Sequence, residues 1–302
     1  RDVAQKIAIE ATEIFNGKAA DFNFITSLIE KHKTGLPAQQ IDSVTNDIDE
    51  LLEELNVVSR WQFNITVLKT HIGGIGPGNL MIAFARPEVG KTAFWVSLVS
   101  APYGFAHQGA KVHAFINEEP AVRTQMRAIS SFTGLNKEQI TEDVSAAREE
   151  WVKIKDNITM IDTVDWSMDD IDSHCEKYKP DIIVIDQLDK VNISGTFART
   201  DEKLRAIYTS AREIAKRRDC VVIAISQASA DADNKDHISF TMMENSKTGK
   251  AAEADLIIGI GNREASNPDN DSRVLNVSKN KITGWHGRPH CILDRYTSRF
   301  TG

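Results

Sequence analysis

The stretch NLMIAFARPEVGKTAFWVSLVS, residues 79–100, decides how the rest of the chain is read. An apolar run leads into a short polar loop, and a second apolar segment follows it. The first run, NLMIAFA, fits a strand buried between helical layers, and AFWVSLVS fits a helix. Gly90-Lys91-Thr92 lies between them, where a phosphate-binding loop belongs. Gly90 lets the backbone approach an anion, and the free N–H groups of the starting helix point at it. Lys91 adds a compact charge near the β- and γ-phosphates, while the Thr92 hydroxyl can hold Mg²⁺. The usual spacing, G-x-x-x-x-G-K-[ST], has a glycine where this chain has Ala85, so the neighbouring segments must support the reading.

Working outward, the runs KVHAFINE, ITMIDT, PDIIVIDQL, CVVIAISQ, DLIIGIG and RVLNVSK are strand candidates. Helical patterns lie between them, as in Leu204, Ile207, Tyr208, Ala211, Ile214 and Ala215. This alternation predicts an α/β fold with a mostly parallel central sheet covered by helices. The closely spaced strands from residue 255 onward are expected to be antiparallel. Residues 1–60 lack such strand signals and read as a helical N-terminal segment or linker, with residues 61–302 as the nucleotide-binding domain. One helix should begin near Asp2 and a second after Asp21. The third carries an apolar stripe, Ile41, Val44, Ile48, Leu51, Leu52 and Leu55. That helix, over residues 38–56, either packs on its own domain or docks on a neighbouring subunit.

The 302 residues are 41% hydrophobic and 26% charged, an ordinary globular composition. No apolar run approaches the ~18 residues of a membrane span. The net charge of −7 argues against a surface coated for nucleic acid, but not against a few gripping loops inside a ring. Three widely spaced cysteines suit a reducing cytosol better than a disulfide framework. His286, His290 and Cys291 lack the spacing of a metal site. The chain begins Arg-Asp with no visible signal peptide, and so reads as a piece of a longer protein.

Three further strand ends carry chemistry. PDIIVIDQL places Asp186 at the carboxyl edge of the sheet, where it would hold Mg²⁺; Asp189 falls beyond the strand and suits that role less well. FINEEP delivers Glu118 or Glu119 to the same edge, where a carboxylate can orient and polarise an attacking water. VVIAISQ ends in Gln227, which can hydrogen-bond a γ-phosphate and pass its loss to the segment that follows.

These four pieces in this order resemble the RecA-like ATPase core, and within it the hexameric replicative helicases typified by DnaB. The family's phosphate loop reads A-R-P-x-x-G-K-T, which matches Ala85, Arg86, Pro87, Glu88, Val89, Gly90, Lys91 and Thr92. In this light Ala85 is a family trait, and the loop from Arg86 to Thr92 is expected to cradle nucleotide. GGIGPGNL is similar to the family's approach to the loop. FINEEPA resembles its F-S-L-E-M-P-A, which puts the catalytic role on Glu118. AISQ, EADLIIGIGNR and YTSRF resemble later family segments, and the likeness covers about residues 68–302. The divergence suggests a phage-type or otherwise unusual member.

The resemblance implies a hexameric ring that hydrolyses ATP or another NTP with Mg²⁺, moves 5′ to 3′ on single-stranded DNA and opens forked duplex. It also implies primase or a helicase loader as possible partners, a cytosolic setting and no membrane. The family's K-x-R segment reaches into the neighbour's site; here it reads Lys279-Asn280-Lys281. Lys281 offers a point charge in place of a planar guanidinium, and Arg288 or Arg263 are the alternatives. Arg263 could instead stack on the base. Two channel-facing segments should fall near residues 191–200 and 228–250, giving Arg199, Lys235, Lys247 and Lys250 as candidate DNA contacts. The competing reading is a RecA-like recombinase or ring-forming regulatory ATPase that uses NTP as an assembly switch.

Overall fold

The computed structural model describes residues 46–302 except 246–248, 265, 266 and 268, together with Thr12 and Phe15. The chain divides into two compact units, Arg1–Leu51 and Leu52–Gly302. Apart from Thr12 and Phe15, both helical, the first two expected helices lie outside the described residues. Helix α1 (Ile48–Val58) accounts for the C-terminal half of the third; residues 38–45 also lie outside. Asp47 starts α1, its Oδ1 accepting from the Asp49 and Glu50 amides. Ile48 and Leu52, on the expected apolar stripe, are exposed.

In the larger unit, β1 (Trp61–Gln62) and β2 (Gly74–Ile75) form a small antiparallel ribbon around α2 (Thr66–His71). The main sheet has nine strands: β3 (Leu80–Ala85), β4 (Val112–Ile116), β5 (Ile158–Asp162), β6 (Ile182–Asp186), β7 (Val221–Gln227), β8 (Leu256–Gly261), β9 (Ser272–Asn280), β10 (His290–Asp294) and β11 (Arg299–Thr301). Their order is β11-β10-β9-β8-β3-β7-β6-β4-β5. From β8 to β5 every neighbouring pair is parallel, and β8 to β11 pair antiparallel.

The sheet is therefore mixed: the strands from β8 onward pair antiparallel with one another, as expected, and β8 joins them to the parallel half. β8 lies parallel to β3 because the long connection from β7 is a full crossover, whereas the short links after β9 and β10 permit only hairpins.

Alternate residues explain why these strands read as continuous apolar runs. Met81, Ala83 and Ala85 of β3 face one core, while Leu80, Ile82 and Phe84 face the other. The first core is covered by α3 (Lys91–Ser100) and α4 (Ala121–Thr133), through Phe94, Trp95, Leu98, Ala128 and Phe132. Two short helices, α5 (Lys137–Glu142) and α6 (Val144–Trp151), follow α4. The second core is covered by α7 (Met168–Tyr178) and α8 (Thr200–Arg217), through Ile171, Leu204, Ile207, Tyr208, Ala211 and Ile214. The apolar stripe read for α8 is the buried one. Helix α9 (Gly249–Glu253) leads into β8.

Candidate nucleotide site

Parallel registry brings the four strand ends to one edge. Ala85 pairs with Gln227, and Ile116 with Asp186, so the chain leaves β3, β4, β6 and β7 side by side. After β3, Glu88 and Gly90 both adopt positive φ, 63° and 115°, which folds the loop back onto the start of α3. A side chain at Gly90 would be doubly disfavoured: its Cβ would also lie 2.8 Å from Leu293 Cδ2. The first N–H groups of α3 have no intrahelical partner and open on the loop. A cavity of about 420 Å³ lies against them, lined by Pro87, Glu88, Gly90, Lys91, Thr92 and Glu118.

Lys91 is 7% exposed. Burial lowers the pKa of its ammonium, outweighing the opposing pull of Glu118 and Asp186. Asp186 is 2% exposed, and burial raises its carboxyl against the effect of two hydrogen bonds. Both end on Oδ2: the Trp95 indole donates at 2.8 Å and the Thr92 hydroxyl at 3.0 Å. The other oxygen, Oδ1, is buried without a hydrogen-bond partner. A buried carboxylate oxygen left unmatched beside a threonine hydroxyl and a lysine is a donor set suited to a hard cation on a phosphate.

The two candidate glutamates have different surroundings. Glu118 borders the cavity and the electrostatic neighbourhood of Lys91; it accepts from Gln187 Nε2 at 2.6 Å and pairs with Lys190 at 3.3 Å. Glu119 lines the same cavity but turns to α4, where it accepts from the Thr124 hydroxyl at 2.9 Å and Arg127 at 2.8 Å. Gln227 is half-buried at the end of β7. The side chains of Arg86 and Val89 are turned elsewhere. The Arg86 guanidinium donates to the Ala228 carbonyl at 3.1 Å and lies 3.8 Å from Asp233. Val89 is buried.

Other candidates lie apart from this edge. The Lys279 ammonium donates to the carbonyls of Ala251 and Ala252, while Lys281 and Arg288 are exposed. Arg263 pairs with Asp236 at 3.2 Å. Arg199 is exposed and pairs with Asp201, and Lys235 is exposed. Lys247 lies outside the described residues. Lys250 corrects the sequence reading: it is fully buried, its ammonium 2.8 Å from Asp189, and offers no surface to DNA in this arrangement.

Sequence reasoning missed Arg273. It is 1% exposed, lines the same cavity and donates through Nε to the Val89 carbonyl at 2.7 Å. Burial lowers its pKa to about 10, which leaves it charged at neutral pH. It sits on β9, far along the chain, and no local motif marks it. Trp95 was legible in principle, since the helical period sets it one turn beyond Lys91 and Thr92.

Residues 62–301 match the family described as the DnaB-like helicase C terminal domain. The chain belongs to that family. Among curated proteins, this DnaB-like chain is 22% identical over 273 residues to the replicative DNA helicase DnaB of Haemophilus influenzae, covering 82% of the chain and 58% of that protein. It is 24% identical over 215 residues to DnaB of Pasteurella multocida, covering 66% and 46%. The chain thus spans about half the length of the curated relatives it matches. A solved DnaB-like replicative helicase, described with its interactions with primase, superposes at TM-score 0.69 and 20% identity, over 99% of this chain and 75% of that one. A second solved structure, described as an ATPase domain, gives 0.70 and 20%, over 86% and 99%. At such identities the likeness carries the fold, a RecA-like α/β core. Among the described residues, no helix is long and apolar enough to cross a membrane.

Proposed function

We propose that this DnaB-like chain is the motor of a replicative DNA helicase. It would hydrolyse ATP or another NTP, move 5′ to 3′ on single-stranded DNA and open forked duplex as a ring, with six copies as the expected number. The carrying observation is the convergence of Lys91, Thr92, Glu118 and Asp186 at one sheet edge, the first three lining a cavity of nucleotide-compatible size and Asp186 bonded to Thr92 behind it. Lys91 and the amides of Gly90 to Thr92 bind the phosphates. Thr92 and Asp186 would hold Mg²⁺, which when bound offsets charge on the β- and γ-phosphates. Glu118 accepts a proton from the attacking water. Gln227 senses the γ-phosphate, and Lys281, with Lys279 beside it, completes a neighbour's site. Lys279 would first have to leave its carbonyl partners.

Arg199 and Lys235 are the exposed cations assigned to the single strand, and Lys247 joins them from outside the described residues. Primase or a loader is the proposed protein partner, and a phage or bacterial cytosol the proposed setting. The test is unwinding of a forked duplex with a 5′ tail by assembled protein and Mg-ATP. Rings that hydrolyse ATP without separating strands would sink the helicase reading and favour a regulatory or strand-exchange ATPase.

A further inference from the structure

The turn that follows β6, residues 187–190, holds contacts that the proposed chemistry does not use. Gln187 is 1% exposed and donates through Nε2 to one oxygen of Glu118 at 2.6 Å. Its backbone is locked to Asn117, whose side chain accepts from the Gln187 amide at 2.7 Å and donates to its carbonyl at 3.0 Å. Lys190 approaches the other Glu118 oxygen at 3.3 Å. Both oxygens of the expected general base are thus held by one short turn.

Between these two residues, Asp189 faces the opposite way. It accepts from the Tyr208 hydroxyl at 2.9 Å and the Ser226 hydroxyl at 2.8 Å, and pairs with Lys250 at 2.8 Å. Tyr208 and Lys250 are both fully buried. Burial, reinforced by Asp189, raises the Tyr208 pKa far enough to keep its hydroxyl a donor. Lys250 closes the second expected DNA-facing segment, and Lys190 adjoins the first. The turn therefore joins both segments to the catalytic carboxylate.

We infer that this turn couples strand binding to hydrolysis, with Lys190 as the positioning residue that holds Glu118 engaged until a strand shifts either segment. The inference rests on the proposed hydrolase reading. A carboxylate engaged at both oxygens is a poorer proton acceptor, and releasing one frees a lone pair for water. The two ion pairs differ in how easily they open. Lys190 and Glu118 are 44% and 36% exposed, so water can replace the contact. Lys250 and Asp189 are 0% and 16% exposed, and parting them would strand a buried charge. A pull on the second segment therefore moves the turn rather than detaching from it, and the Lys190 contact gives way.

The test is steady-state ATP hydrolysis by wild type, Lys190→Met and Lys190→Arg, with and without oligo-dT, alongside binding of a fluorescent ATP analogue. Lys190→Met should raise the rate without oligo-dT and cut the stimulation ratio by about five-fold, with analogue affinity unchanged within about two-fold. Lys190→Arg should restore the stimulation. Unchanged rates in Lys190→Met, or equal losses with and without oligo-dT, overturn the coupling. So does a wild type that hydrolyses ATP equally under both conditions, which leaves the nucleotide site standing. A wild type that binds and hydrolyses no nucleotide removes the proposed function itself.

Discussion

Replacing Lys91 by methionine should make the protein harder to unfold and at the same time blind to nucleotide. Lys91 is buried, and burial lowers its pKa even with Glu118 and Asp186 nearby. The unfolded chain therefore holds this proton more tightly than the folded one. Ionised Lys91 costs stability at neutral pH, and the cost fades as pH rises toward the ordinary lysine value of 10.5. The lowering is net of the pull from both carboxylates, so an apolar side chain of similar length removes a cost rather than a stabilising pair. Because the two carboxylates lose a cationic neighbour, the gain should be small, on the order of 1 kcal/mol, or roughly 2–4 °C in Tm for a unit of this size. Mg-ATP at about 100 times its Kd should add about 2.7 kcal/mol to the wild type and nothing to the variant. The order of the two melting temperatures should therefore reverse when nucleotide is added, by calorimetry or dye-based melting at pH 7.5. A variant that melts below wild type without nucleotide would refute the electrostatic argument. A variant that keeps the nucleotide shift would refute the site.

Glu118→Gln should bind Mg-ATP yet hydrolyse it at least ~100-fold more slowly in a phosphate-release assay. Glu119→Gln should keep turnover and lose roughly 0.5–1 kcal/mol in urea unfolding, since it keeps an acceptor for Thr124 and Arg127 but removes the charge from both contacts. The opposite pattern would move the base to Glu119. Lys281→Ala subunits mixed with wild type should lower activity more than in proportion to their fraction, and strictly proportional loss would argue against a role in the neighbour's site. His113 sits 2.8 Å from His174, and burial, with the His174 charge adding to it, lowers its pKa from 6.5 to about 4. The unfolded chain thus takes up a proton that the folded chain refuses between these values. Stability should fall by roughly 1–2 kcal/mol from pH 7 to pH 5, allowing for partial exposure. His113→Leu should flatten that slope in urea titrations at the two pH values.

The parallel half of the sheet was legible because its strands are apolar on both faces, as Leu80 to Ala85 illustrates. The strand ends were legible too, since a polar residue closing such a run falls at the edge of the sheet. Glu118 reaches the cavity in this way, and Asp186 reaches the Thr92 hydroxyl at its wall. Direction of pairing was harder to read, because it depends on the length of the connection more than on the strand: β8 is antiparallel to β9, as expected, yet parallel to β3. Lys250 was misread because a lysine's partner can be distant in sequence: Asp189 and Ser226 come from two other elements. Arg273 escaped notice for the same reason. Its neighbour in space, Val89, lies 184 positions earlier.

That last contact bears on how the protein is made. The loop at Gly90 is propped by Leu293, by Phe300 packing edge-on against Phe94, and by Arg273 on the Val89 carbonyl. A chain emerging from the ribosome can shape the parallel strands early, but the Gly90 loop stays unbraced until β9 to β11 are added. A chain cut short before β9 should therefore lose the shape of the proposed nucleotide site, although every residue of its loop is present.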